Sequence, residues 1–261
     1  MAITHYDYKK NDVYTTDDKG TVTGYYSPSV AKLKEILINK GYFKESEIKT
    51  TFPFAGTNIN EWINITTNGI NLCAVELVMA NSGNNILPRF YYPAYSNANK
   101  YTAGGSASNP SWGSNGNSIY RITDCKNGIA VFFHGVYSSD TPVSCGYGLF
   151  FTKTVKGDIA IIYVDRFPYN TKNKNNINVY CATTGSVEGT GGSKLNPSFT
   201  ASSEMRSDKI TSLSPLVVAQ AADYCPNLFC MPVTQYFGTQ GVIRIDNCNY
   251  ITNGILALKD E

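Results

Sequence analysis

Histidine is nearly absent: His5 and His134 are the only two in 261 residues. That scarcity removes most imidazole chemistry. His5 lies in a polar N-terminal stretch. His134 lies inside Phe132-Phe133-His134-Gly135, where a histidine is more often a hydrogen-bonded packing residue than a general base. Charge is also scarce. Only 16% of residues are Asp, Glu, Lys or Arg, against about 25% in ordinary soluble domains. The net charge is +2 and the pI is near 8.0, without the basic stripe of a nucleic-acid module. No window approaches 18 uninterrupted apolar residues, so no membrane-spanning helix is expected. MAITHYDYKKND has no apolar core of a secretory signal.

The seven cysteines are Cys73, Cys125, Cys145, Cys181, Cys225, Cys230 and Cys248. Their number is odd, and no Cys-x-x-Cys occurs. A secreted disulfide framework usually shows an even count behind a signal peptide. Free thiols in a reducing cytoplasm, acting as small apolar fillers, are the expectation. Zinc would want Cys or His pairs close in sequence. Asp17-Asp18-Lys19-Gly20 has too few acidic oxygens for a calcium loop and reads as a turn. The glycines at 104–105 and 191–192 lack the Lys and Ser/Thr of a phosphate loop. No Gly-x-Ser-x-Gly or His-Glu-x-x-His is present. We therefore expect no catalytic residue, no metal and no cofactor. Carboxylates for sugar hydrolysis exist in Glu61, Glu76, Asp124, Asp158 and Asp165, but they read as edge and turn polarity rather than as a facing pair.

What the chain does have is β-strand text. Trp62–Thr66 alternates. Leu72–Met79, Ser118–Thr123 and Ile129–Val136 follow, the last apolar enough for burial on both faces. Tyr147–Val155 and Asp158–Val164 flank Lys156-Gly157, a hairpin signal. Ile177–Cys181, Leu216–Ala222, Leu228–Val233, Val242–Ile245, Cys248–Ile251 and Ile255–Leu258 complete the series. Asp246-Asn247 and Asn253-Gly254 punctuate the last three. Gly-, Ser- and Asn-rich loops are expected at 81–85, 97–117 and 183–194. The fold class is mainly β: an antiparallel, jelly-roll-like β-sandwich over 57–261, preceded by an arm and one α-helix over 1–56.

The arm, residues 1–26, is polar and rich in tyrosine. Such a segment either frays or lies on a partner. The helix starts after Ser27 with Pro28 at its first position, and Gly41 ends it. Val30, Leu33, Ile36 and Leu37 recur at three- and four-residue spacing. That stripe suits either a docking helix or a cover over one open end of the β core, the second being the simpler reading. Candidate partner contacts are Tyr14, Tyr25, Leu33 and Leu37. Tyr92, Tyr95 and Trp112 are candidate surface or ligand contacts, because aromatics in loops stack on sugars or anchor proteins.

The block from Ser212 to Lys259 carries a resemblance. Pro215-Leu216-Val217-Val218-Ala219, Asp223-Tyr224-Cys225-Pro226-Asn227, Thr234-Gln235-Tyr236-Phe237-Gly238, Gly241-Val242 and Tyr250-Ile251-Thr252-Asn253-Gly254 resemble virion structural proteins of phages and prophages of low-GC Gram-positive bacteria. Gly148–Thr154 and Ile159–Val164 look similar too. The resemblance implies a non-enzymatic virion component of capsid, neck or tail, assembled in the host bacterial cytoplasm. Its partners would be other virion proteins and copies of itself, with neither nucleic acid nor membrane. A flexible arm grips neighbours by adding a strand or burying a helix. The alternative is a tail-tip or adhesin domain that binds a receptor or host surface glycan.

Overall fold

The computed structural model describes residues 2–9, 14–16, 18–19, 22–25, 28–49, 61–67, 70–78, 89–94, 97–106, 119–136, 142–165, 178–184, 192–195, 214–218, 223–230, 241–245, 247–253 and 256–260. The fold is mainly β, with antiparallel pairing throughout and one α-helix among the described residues.

The central sheet has seven strands. β1 (Thr4–Lys9) stands at one end. Beside it run β9 (Ile119–Cys125), β10 (Gly128–Val136), β11 (Pro142–Lys153), β12 (Ile159–Asp165), β13 (Asn178–Thr183) and β14 (Gly192–Leu195), in that order. The C-terminal sheet has the order β15 (Ser214–Val218), β16 (Asp223–Cys230), β19 (Leu256–Asp260), β18 (Cys248–Thr252), β17 (Gly241–Ile245). A side sheet runs β4 (Ile48–Lys49), β5 (Glu61–Thr67), β6 (Ile70–Val78), β7 (Arg89–Ala94), β8 (Asn97–Ser106). β2 (Tyr14–Thr16) and β3 (Val22–Tyr25) form a separate two-stranded hairpin.

The expectation of a mainly β, antiparallel fold with one helix holds, and in the C-terminal sheet β16 lies beside β19 in a Greek key. The central sheet winds instead as a meander from β9 to β14.

Alternation along the central strands explains the layering. One face presents Ala130, Phe132, Phe150, Ala160, Ile162 and Val164, which share a core with Cys225, Leu228, Ile251, Leu256 and Leu258 of the C-terminal sheet. The opposite face presents Ile122, Ile129, Val131, Leu149, Phe151, Ile161 and Tyr163. It packs against α1 (Pro28–Asn39), Phe43, Ile48, and Ile63 and Ile65 of β5. The central sheet is thus buried on both sides, which accounts for its near-continuous apolar text.

α1 forms where the spacing predicts. Val30, Leu33, Ile36 and Leu37 are all buried. Gly41 ends the helix at φ +65. Its amide donates to the Ile38 carbonyl at 2.8 Å and the Tyr42 amide to Leu37 at 3.0 Å. This is the Schellman pattern, which calls for a left-handed residue.

Several expectations need correction. The division at residue 56 does not divide the core, because α1 and Ile48 belong to the same cluster as the central sheet. The arm is not free along its length, because β1 pairs with β9 over Thr4–Asp124 through Lys9–Ile119. Of the loop expected at 97–117, its first ten residues form β8, paired with β7. The loop expected at 183–194 ends in β14, which pairs with β13. The expected loop at 81–85 lies outside the described residues.

Candidate functional site

The N-terminal strand and the edge that receives it form the most specific polar seam in the described structure. β1 reads Thr-His-Tyr-Asp-Tyr-Lys, so alternate residues point to opposite faces. On the helix side, Tyr6 and Tyr8 are half-buried and pack against the core beneath α1. Lys32 of α1 places its ammonium 5.2 Å from the Tyr6 ring centroid, within cation–π range.

On the sandwich side, Ile3 packs against the inter-sheet core. His5 Nδ1 and Thr123 Oγ1 share a hydrogen bond at 2.9 Å. Arg121 donates from Nε to Asp7 Oδ1 at 2.6 Å and from Nη2 to Oδ2 at 2.7 Å. That two-pronged geometry is the strongest form of an Arg–carboxylate pair, and it fixes register as well as energy. Burial lowers the His5 imidazole below its ordinary value of 6.5, the Arg121 guanidinium lowers it further, and Asp7 opposes both.

A second cluster surrounds the β9–β10 turn. Lys40, just past α1, pairs with Asp124 at 2.8 Å and donates to the Cys125 carbonyl at 2.6 Å. The Tyr42 hydroxyl donates to the Asn127 carbonyl at 3.4 Å. Burial pushes the Tyr42 phenol above its ordinary range, with Cys125 and Asp124 adding to it. From the other layer, Asp260 accepts from the Lys126 amide at 3.0 Å, and Asn127 donates to the Lys259 carbonyl at 2.9 Å. One turn therefore fastens the helix and the last strand to the central sheet.

A third junction joins the two sandwich sheets. The Val155 amide donates to the Tyr224 carbonyl at 3.0 Å. Asp223, 6% exposed, accepts from the Tyr224 amide at 2.8 Å and the Lys156 amide at 3.4 Å. Burial raises its carboxyl, but hydrogen bonds from Thr154 and these amides outweigh that and hold it below the ordinary value. The β11–β12 turn below it depends on Gly157 at φ +90.

The candidate partner residues separate into two groups. Leu33 and Leu37 are both 0% exposed and belong to the chain's own core. They are not available to a partner, because the helix spends its apolar stripe on the central sheet. Tyr14 and Tyr25 stand opposite each other in the β2–β3 register. Tyr92 lies in β7 opposite Thr102 of β8, in a strand rather than a loop. Tyr95 and Trp112 lie outside the described residues.

Of the carboxylates considered for hydrolysis, Asp124 is tied to Lys40, and Asp158 accepts from the Thr184 hydroxyl at 3.3 Å. Glu61, Glu76 and Asp165 lie in β5, β6 and β12. Among the described residues, no group of three His, Cys, Asp or Glu could hold a metal ion. No helix of the described residues is long and apolar enough to cross a membrane.

Cys125, Cys181, Cys225 and Cys248 are thiols that form no disulfide. The first three share the inter-sheet core. Burial pushes the Cys125 thiol up to about 11 and the Cys225 thiol to about 12, the latter helped by Asp223.

Residue spacing did not point to Arg121 or Thr123. The signal for the seam was the strict alternation of tyrosine with His5 and Asp7 in β1. No protein-family model, curated protein or solved structure matches this chain.

Proposed function

We propose that this chain is a non-enzymatic structural component of a bacteriophage virion, present in many copies in capsid, neck or tail. It binds neighbouring virion proteins through its N-terminal segment and is assembled in the host bacterial cytoplasm. The observation that carries this reading is the β1–β9 seam. An N-terminal strand at the end of a sheet's strand order, held by a backbone ladder and a few side-chain hooks, is a form of attachment that assembling proteins reuse between subunits. Buried thiols outside any disulfide suit folding in a reducing compartment, and a weakly charged surface suits permanent packing. The resemblance in the C-terminal block supports the same reading.

The test is direct. Particles induced from a lysogen that encodes this chain are purified through a density gradient and quantified by mass spectrometry. The chain should co-purify at a fixed ratio of many copies per particle. Its absence from washed particles, with normal particle yield after deletion of its gene, overturns the reading.

A further inference from the structure

We propose that β1 exchanges between copies of this chain, leaving its own β9 edge to pair with the β9 edge of a second copy. The inference rests on the reading above in one respect, that copies of the chain meet at high local concentration.

The attachment of β1 is specific but shallow. None of its described side chains is buried: Thr4, His5 and Asp7 are exposed, and Tyr6 and Tyr8 are half-buried. Its hold combines ladder hydrogen bonds, the Asp7–Arg121 pair and the His5–Thr123 bond with the partial packing of Tyr6 and Tyr8 on the core. Segments with few buried apolar contacts sit at the low end of local stability and open first.

The tether behind β1 permits the exchange. β1 is followed by the β2–β3 hairpin, which among the described residues joins none of the three larger sheets. A lone two-stranded hairpin is marginal in water. The roughly 18 residues between Lys9 and Pro28 would span on the order of 60 Å if extended at about 3.3 Å each.

An opened chain carries both halves of the contact, a donor strand and a bare acceptor edge. Closing in trans makes the same bonds as closing in cis, so no new complementarity is needed. The edge also selects its occupant. Arg121 and Thr123 must meet a carboxylate and an imidazole two residues apart, and the opposite face must receive two tyrosines. A one-residue slip would exchange the faces and lose both sets. A second copy supplies the matching strand, and the partner is accordingly this chain itself.

Two charge reversals test this. Asp7→Arg and Arg121→Asp each place like charges across the seam in their own chain. Mixed in equal amounts, they become complementary only in trans. The new arginine then meets the new aspartate, while native Asp7 meets native Arg121. Light scattering should show each variant alone as single chains with a protease-sensitive N-terminus. The mixture should give a protected two-chain species. A mixture that stays single-chain and sensitive, while the double variant in one chain regains protection, overturns exchange.

Should either variant fail to fold, unmodified light and 15N-labelled chains are mixed and weighed by native mass spectrometry. Mixed-mass dimers that disappear on deleting residues 1–9 support exchange; only single chains, or dimers that persist, overturn it. Failure here does not touch the particle experiment. Conversely, a chain absent from particles that still exchanges β1 overturns the virion reading alone.

Discussion

Lys40 and Asp124 pair at 2.8 Å with side chains only 11% and 19% exposed, and the same ammonium reaches the Cys125 carbonyl at 2.6 Å. A lysine at the end of the helix thereby holds the strand that receives β1. Lys40→Met keeps the aliphatic stem but leaves the Asp124 carboxylate without its cation. Removing one partner of a largely buried pair costs more than the pair contributes. We expect a loss of about 1–3 kcal/mol in urea unfolding, and a smaller loss for Asp124→Asn. An unchanged midpoint for Lys40→Met would sink the assignment.

The His5 imidazole titrates below its ordinary value because partial burial at the seam and Arg121 disfavour its charged form, against Asp7. The detached strand therefore takes up a proton before the docked one does as pH falls. Docking of β1 is strongest above about 6.5 and weakens as pH drops from there through the lowered folded value. Hydrogen exchange at β1 and β9 amides, corrected for intrinsic rates, should show lower protection at pH 5 than at pH 7.5. His5→Gln should abolish most of that difference. Equal pH dependence in the variant rules out His5 as the cause.

Leu33 and Leu37 offer a clean choice between a core and a contact role. Leu33→Ala in the isolated chain should lower stability by about 2–5 kcal/mol, the range for a buried leucine. A residue reserved for a partner would leave the isolated chain's denaturation curve where it was.

Gly128 has no room for a side chain. A Cβ there would run into the Phe151 carbonyl and come within 3.0 Å of a Leu258 methyl. Gly128→Ala should therefore cost about 1–3 kcal/mol by overpacking. Gly241→Ala, where a Cβ meets nothing within 4 Å, serves as the control and should leave the melting temperature nearly unchanged.

The thiols give a fourth kind of measurement. With Cys125 raised to about 11, its thiolate fraction at pH 8 is on the order of 0.1%, and the thiolate is the reactive form. Of the four described thiols, an aromatic disulfide reagent should leave Cys125, Cys181 and Cys225 unmodified in the native chain and label the half-buried Cys248 first. All should react in guanidinium. Native labelling of Cys125 at the Cys248 rate contradicts the burial described.

Local chemistry made much of the fold legible. Pro28 and Gly41 bracket the helix because each has a backbone preference that needs no tertiary context. Lys156-Gly157 marked the β11–β12 turn for the same reason. β8 was hidden, because Asn97-Ala98-Asn99-Lys100 has poor strand propensity and takes its form from pairing with β7. The candidate site was harder still. His5 meets Thr123 across 118 residues, and Asp7 meets Arg121 across 114, so no spacing rule could join them. Leu33 and Leu37 were legible as apolar but not as to whose core they enter. A stripe of leucines looks the same against its own sheet as against a neighbour's.

The place of β1 beside β9 also sets a clock. β1 leaves the ribosome roughly 110 residues before β9, which at about 5–20 residues per second is on the order of 5–20 s. Throughout that interval the strand exists without the edge it will occupy. Chains growing side by side on one message hold finished β9 edges within reach of such waiting strands. Under the exchange proposed above, the order of synthesis gives each β1 a first choice of edge before folded copies meet.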